Sequence, residues 1–115
     1  MAKTIKLAPN EILIREGEKS TAMYLVQSGQ LVVTKKRGND EITLGHIYSK
    51  ELVGEISFLD KEPRSATVQA VTECELIEIP QDTFEKIFST QPKWLEILYM
   101  TLAERLRKAD ARIKI

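Results

Sequence analysis

The strongest constraint on the fold is a punctuation pattern. Short apolar clusters alternate with turn-forming residues through most of the chain, and no cluster in this part is long enough for a helix. Ile5 and Leu7 precede Pro9-Asn10, Ile12-Leu13-Ile14 precedes Glu16-Gly17-Glu18, and Met23-Tyr24-Leu25-Val26 precedes Ser28-Gly29-Gln30. Leu31-Val32-Val33 then leads to Arg37-Gly38-Asn39-Asp40, a hairpin tip, and Ile42-Thr43-Leu44-Gly45-His46-Ile47 alternates as the returning strand. Residues 66–70 and 74–79 read as two further strands joined at Val71-Thr72-Glu73, and Pro80 ends the sheet. Clusters this short and rich in β-branched residues are strands, and their spacing of about ten residues implies an antiparallel barrel-like or sandwich-like sheet.

Beyond Pro80 the apolar period lengthens. Gln81 or Asp82 is placed to cap a short helix over 83–89, and Gln91-Pro92 opens a new element. Residues 93–114 give the longest helical signal, with Leu95, Leu98, Leu102, Leu106, Ala109 and Ile113 spaced by threes and fours. At about 1.5 Å per residue this is a rod of roughly 30 Å, more than a small sheet needs for cover. The stripe is close to a heptad seam, which fits either a core-facing helix or a homodimer contact, the latter being preferred.

The chemistry is concentrated between these two regions, in Leu52-Val53-Gly54-Glu55-Ile56-Ser57-Phe58-Leu59-Asp60-Lys61-Glu62-Pro63-Arg64-Ser65-Ala66-Thr67. Residues 56–60 read as one helical turn whose first N–H groups can point at an anion. Gly54, lacking a Cβ, allows close approach of a ligand. Arg64 supplies a permanently charged fork for two phosphate oxygens, and the Ser65 hydroxyl one more donor. Glu55, ionised, only accepts hydrogen bonds, so its partner is a donor elsewhere on the ligand, such as a sugar hydroxyl.

Val53-Gly54-Glu55-Ile56-Ser57 and Arg64-Ser65-Ala66-Thr67 closely resemble, in identity, spacing and order, the phosphate-binding cassette of the cyclic nucleotide-binding domain family. The likeness extends over nearly the whole chain. Glu11-Ile12-Leu13-Ile14-Arg15-Glu16-Gly17-Glu18 and Met23-Tyr24-Leu25-Val26-Gln27-Ser28-Gly29 are similar to the opening strands of that family's β-roll, with Gly17 and Gly29 at turns. Val53 stands where many members have Phe, a change that touches packing and leaves the polar contacts intact. The resemblance implies a mainly β, jelly-roll-like antiparallel roll over 1–80 with the cassette at 53–67. Residues 81–115 would then supply carboxyl-terminal helices, including one long lid or dimer helix, and the whole of 1–115 would be one domain.

The roles that the resemblance implies fall on Glu55 for the ribose 2′-hydroxyl, Arg64 for the cyclic phosphate and Ser65 for a further phosphate contact. Gly54, Ile56, Ser57 and Ala66 would contribute the cassette backbone, and Val33, Leu44 and Ile47 the wall against the base. The outer edge of the base would meet the long helix near Lys108, Ala109 and Arg112. Threonine after the cassette arginine often favours cGMP in this family. Ser65 leaves the choice between cAMP and cGMP open, with cAMP as the default.

Composition narrows the alternatives. The chain has 115 residues and 43% apolar content, enough for one domain with a core. Seventeen basic residues balance seventeen acidic ones, so no global field favours nucleic acid or an anionic membrane. Lys3 and Lys6 interrupt any signal-peptide core, no apolar run approaches the length of a membrane span, and the single Cys74 excludes an internal disulfide; a cytoplasmic protein is expected.

Catalytic machinery is thin. His46 is the sole histidine, on an alternating strand, and reads as a surface or half-buried residue. Cys74 lies between Glu73 and Glu75 and reads as buried and structural. There is no zinc spacing, Walker loop or nucleophile elbow, so binding without turnover, with no cofactor or metal, is expected. The triplet Lys35-Lys36-Arg37 and the helix residues Arg105, Arg107, Lys108 and Arg112 read as solvated faces. No helix-turn-helix follows the long helix, so promoter recognition is not expected of the chain as given. Two further readings stay open: a ligand-free dimerisation module, and the sensory piece of a larger enzyme or channel with a fused or separate effector.

Overall fold

The computed structural model describes residues 3–112, with the side chains of 110–112 outside the described set. Eight strands come first: β1 (Lys3–Leu7), β2 (Ile12–Ile14), β3 (Ala22–Ser28), β4 (Leu31–Arg37), β5 (Asp40–Ile47), β6 (Leu52–Val53), β7 (Thr67–Ala70) and β8 (Cys74–Pro80). Helix α1 (Glu55–Asp60) interrupts them between β6 and β7, and α2 (Gln81–Phe88) and α3 (Lys93–Arg112) follow. The strands form two four-stranded sheets ordered β1-β8-β3-β6 and β2-β7-β4-β5, each neighbouring pair antiparallel. This fits the antiparallel sandwich-like sheet expected from the spacing of the apolar clusters and the roll that the resemblance implied.

Period-two burial is clearest in β3, where Ala22, Tyr24 and Val26 point inward while Met23 and Leu25 are half-buried. Leu31 on β4 and Val68 and Ala70 on β7 from the other sheet, with Cys74 and Leu76 on the neighbouring β8, complete a core in which Val26, Leu31 and Leu76 are fully buried. Each such side chain contributes about 1.5–3 kcal/mol of burial free energy. Gly29, at φ 97°, makes the β3–β4 turn, and a Cβ there would lie 2.6 Å from the buried Cys74 sulfur.

Two irregularities matter for the site. The β4–β5 register steps from Val33↔Gly45 to Thr34↔Thr43, which leaves Leu44 as the extra residue of a bulge. Helix α1 is a short insert closed at both ends by left-handed residues, Gly54 (φ 79°) and Lys61 (φ 62°), with the Lys61 N–H donating to Ser57 O. It buries Phe58 completely, edge-on to Phe84 of α2 at 4.9 Å between ring centres.

The helical half departs from expectation at the entrance to α2. α2 begins at Gln81 with Pro80 as its N-cap, so neither Gln81 nor Asp82 caps it. Proline's fixed φ suits a helix entrance, and Gln81 is engaged elsewhere, its side chain donating to Phe58 O at 3.0 Å. α3 does not turn the middle of its leucine stripe to the core, so the core-facing alternative does not hold for Leu98, Leu102 and Leu106. Ala103 is its buried contact, whereas Leu98, Leu102 and Leu106 are 45%, 46% and 50% exposed. Ile113 and Lys114 lie outside the described residues.

Candidate ligand-binding site

A half-open cavity of about 230 Å³ lies between the β4–β5 hairpin and the turn that carries α1. Its apolar wall includes Ile14, Val33, Leu44, Ile47, Leu52, Val53 and Val68, and its polar end is formed by Gly54, Glu55, Ile56, Ser57, Arg64, Ser65 and Ala66. Of the residues singled out in the sequence, Gly54, Glu55, Ile56, Ser57, Arg64, Ser65, Ala66, Val33, Leu44 and Ile47 are therefore brought together around one space. Arg112 is not among them: its backbone ends α3 and its side chain is outside the described residues. Lys108 lies elsewhere too, paired with Glu104 along a separate groove beside Asp60 and Glu62.

Arg64 is the best-defined group of the site. Only 6% of it is exposed, and its guanidinium donates to Gly54 O at 2.8 Å and to Ala22 O at 2.5 Å. Its main chain is held as well, the N–H donating to Glu18 O and the carbonyl accepting from Gly17 N–H, both at 2.8 Å. The guanidinium is thus fixed to backbone carbonyls on the protein side. Five N–H donors leave capacity beyond the two carbonyls. Burial lowers the Arg64 pKa from its ordinary value, while Tyr24, Glu18 and Glu55 each pull it back up. A buried guanidinium surrounded by such groups remains cationic and favours an anion that reaches it.

Gly54 lines the cavity and also serves the packing beneath it. A Cβ built there would lie 2.5 Å from Arg64 Nη1 and 3.0 Å from Ile14 Cδ1, so the missing side chain makes room for the arginine as well as for the left-handed turn. Glu55, Ile56 and Ser57, in the first turn of α1, line the same end of the cavity, and the first amides of a helix have no intrahelical acceptor.

Several contributors escaped the sequence reading. Ile14, Leu52 and Val68 complete the apolar wall; the alternation of β2 and β7 is the signal that marks Ile14 and Val68 as inward-facing. His46 is exposed, as expected of it, and also lies at the cavity's edge. Arg107 is not part of a solvated face. Its Nε and Nη2 donate to the two oxygens of Asp60, and Nη2 also to Ser57 Oγ at 3.3 Å. Ser57 in turn donates to Pro63 O. One α3 side chain is therefore bonded directly to a cavity-lining residue. An aromatic series, Phe58, Phe84, Phe88 and Tyr99, runs parallel to this contact through all three helices.

The groove beside Asp60 is larger, about 690 Å³, but its one arginine is already paired. Convergent donors, rather than volume, distinguish the smaller cavity.

Residues 4–91 match the model of the cyclic nucleotide-binding domain. The chain belongs to the cyclic nucleotide-binding domain family. Within it, the chain is 34% identical over 101 residues to the cyclic AMP receptor protein of Thermus thermophilus, an alignment covering 87% of this chain and 47% of that protein. Among solved structures, the regulatory domain of Toxoplasma gondii PKA in complex with cAMP superposes with a TM-score of 0.73 at 35% identity, over 75% of this chain and 33% of that one. An EAL enzyme in its cAMP-bound form shares the fold with a TM-score of 0.86 at 23% identity, over 97% of this chain and 30% of the enzyme. This cyclic nucleotide-binding domain thus spans about half the length of the receptor protein and a smaller share of the two structures. Among the described residues no helix is long and apolar enough to cross a membrane.

Proposed function

We propose that this domain is a regulatory sensor whose ligand is cAMP, with cGMP as the second choice. The observation that carries the reading is the lining of one cavity: an apolar wall ending in Arg64, Ser65 and Glu55. A cyclic nucleotide divides the same way. Its base would lie against Val33, Leu44 and Ile47, its ribose 2′-hydroxyl would donate to Glu55, and its monoanionic phosphate would accept from Arg64, Ser65 and the amides of the α1 turn. The cAMP in the names of the Thermus receptor and the Toxoplasma complex supports adenine as the base. Such a set of contacts is consistent with micromolar binding, about −8 kcal/mol.

The chemistry assigned to the residues is recognition alone. Glu55 and Arg64 bind and orient; neither is given a reacting bond. At about 230 Å³ the cavity is smaller than the roughly 300–1,000 Å³ of enclosing ligand pockets, so the outer part of a nucleotide would emerge from it. Emergence of the base edge gives α3 something to close upon. The connector at 89–92 is the proposed hinge, and the Arg107 contacts to Asp60 and Ser57 are the proposed link between cavity and helix. By linkage, a ligand that favours one position of α3 is bound more tightly when α3 holds that position. Closure would bring Lys108, Ala109 and Arg112 toward the base, and a second copy of the chain is the proposed cover for Leu98, Leu102 and Leu106. The receiver of the signal is proposed to be a fused or separate effector, since the matched relatives are longer.

A thermal-shift panel of cAMP, cGMP and their linear monophosphates tests the reading. Stabilisation by cyclic ligands above the linear ones is expected, of about 2.7 kcal/mol at a hundred times Kd. The exposed leucines of α3 favour one other reading, a ligand-free dimerising module. That module would show no shift with any cyclic nucleotide while running as a dimer on a sizing column.

A further inference from the structure

The basic triplet at the β4 end is not uniformly solvated. Lys35 is half-buried, and its Nζ donates at 3.0 Å to the carbonyl oxygen of Ser65, the residue that follows the cavity arginine. Lys36 and Arg37 remain exposed, so Lys35 alone of the three is turned onto the cassette.

The contact belongs to a row of bonds that fasten the 64–67 segment from one side. Gly17 N–H donates to Arg64 O, Lys35 Nζ to Ser65 O, and Glu16 N–H to Thr67 Oγ1. Lys36 N–H donates to Glu16 Oε1, which fastens that turn in its own place. The carbonyls of Arg64 and Ser65 are thereby both occupied by protein donors. A carbonyl oxygen facing an anion would repel it, whereas an N–H attracts it. In a planar trans peptide the two point in opposite directions, so holding Ser65 O toward Lys35 turns the Ala66 N–H the other way. Lys35 also places a full positive charge one residue from Arg64, in a partly buried setting where salt screens it less than at an open surface.

We infer that Lys35 is a positioning residue for the anion-binding end of the cavity: it orients the Ser65–Ala66 peptide and adds a second cationic group behind Ser65. The inference rests on the cyclic-nucleotide reading of the cavity and deepens it, by assigning the recognition of the ligand's negative charge partly to a strand residue outside the cassette. It also separates the ligand's two halves, because an uncharged nucleoside should be indifferent to Lys35.

The test is a titration of the parent, Lys35→Met and Lys35→Arg with cAMP, cGMP and adenosine, at low and high salt, beside the melting temperature of each unliganded protein. Lys35→Met is expected to bind cAMP about five- to tenfold more weakly, as for loss of a charge-assisted bond near an anion. Its adenosine affinity should match the parent's, its unliganded melting temperature should fall only slightly for one lost part-buried bond, its cAMP affinity should depend less on salt, and Lys35→Arg should recover most of the loss. Equal cAMP affinity in Lys35→Met and the parent would overturn the inference. So would parallel losses of cAMP affinity, adenosine affinity and melting temperature, which would make Lys35 merely structural. A parent that binds neither cAMP nor cGMP overturns the underlying reading, and the inference with it.

Discussion

The cassette end of the cavity and helix α3 are built on opposite principles. At the cassette, the Arg64 side chain has two backbone acceptors, its main chain is bonded to the 17–18 turn, and Ser65 O is held by Lys35. On α3, among the described residues, one small buried residue, one half-buried ion pair and an aromatic series make the attachment, while Trp94, Ile97, Leu98, Leu102 and Leu106 stand out from the molecule. The comparison teaches which part holds shape without help. A site whose donors are already fixed costs little to organise when a ligand binds. A helix with few buried contacts opens more easily than the sheet beneath it, and is the element on which a ligand or a second chain is proposed to act.

Phe58→Ala is the harshest test of that division, because Phe58 is fully buried in α1 and touches Phe84. It should lower stability by about 3–5 kcal/mol by chemical denaturation. A loss below about 1 kcal/mol would mean that α1 is not anchored as described. Next comes Arg64→Ala, expected to weaken cAMP binding by at least about 2 kcal/mol, and to destabilise the unliganded protein by about 1–3 kcal/mol as the Gly54 and Ala22 carbonyls lose their donor. Gly54→Ala should cost about 1–2 kcal/mol of stability from its positive φ, and further displace the guanidinium that occupies the vacant Cβ position. Preserved affinity in that variant would separate the arginine's position from the glycine.

Smaller effects are expected on the helix side. Arg107→Met leaves Asp60 and Ser57 without their α3 partner and should lower affinity about threefold, near 0.7 kcal/mol, with faster hydrogen exchange in α3 and little change in the β-strands. Exchange rising equally in both regions would remove the distinction drawn between them. Leu102→Glu should change monomer stability by under about 0.5 kcal/mol, as for an exposed position, while shifting any dimer on a sizing column toward monomer.

The strands were legible because each apolar cluster was short and bounded by turn residues, so β3, β4, β5 and β8 fall where the spacing put them, and the resemblance implied the roll they form. The cassette was legible through residue types at fixed separation, and the structure gathers those residues around one cavity. Contacts decided by tertiary placement were not legible. Nothing in a basic triplet tells which lysine folds back onto Ser65, and nothing in a helix of mixed charge marks Arg107 for Asp60, forty-seven residues earlier. The Leu44 bulge was likewise hidden, since it exists only in the register between two strands. Helix capping misled for a local reason: Pro80 ends β8 and begins α2 in one residue, leaving no separate cap position for Asp82.

The most direct measurement is a calorimetric titration of the parent with cAMP and 2′-deoxy-cAMP, repeated on Glu55→Ala. If Glu55 accepts from the ribose, the parent should prefer cAMP by about 1–2 kcal/mol, and that preference should vanish in the variant. A parent that treats the two ligands alike, or a variant that keeps the full preference, would contradict a cavity in which Glu55 reads the sugar while Arg64 holds the phosphate.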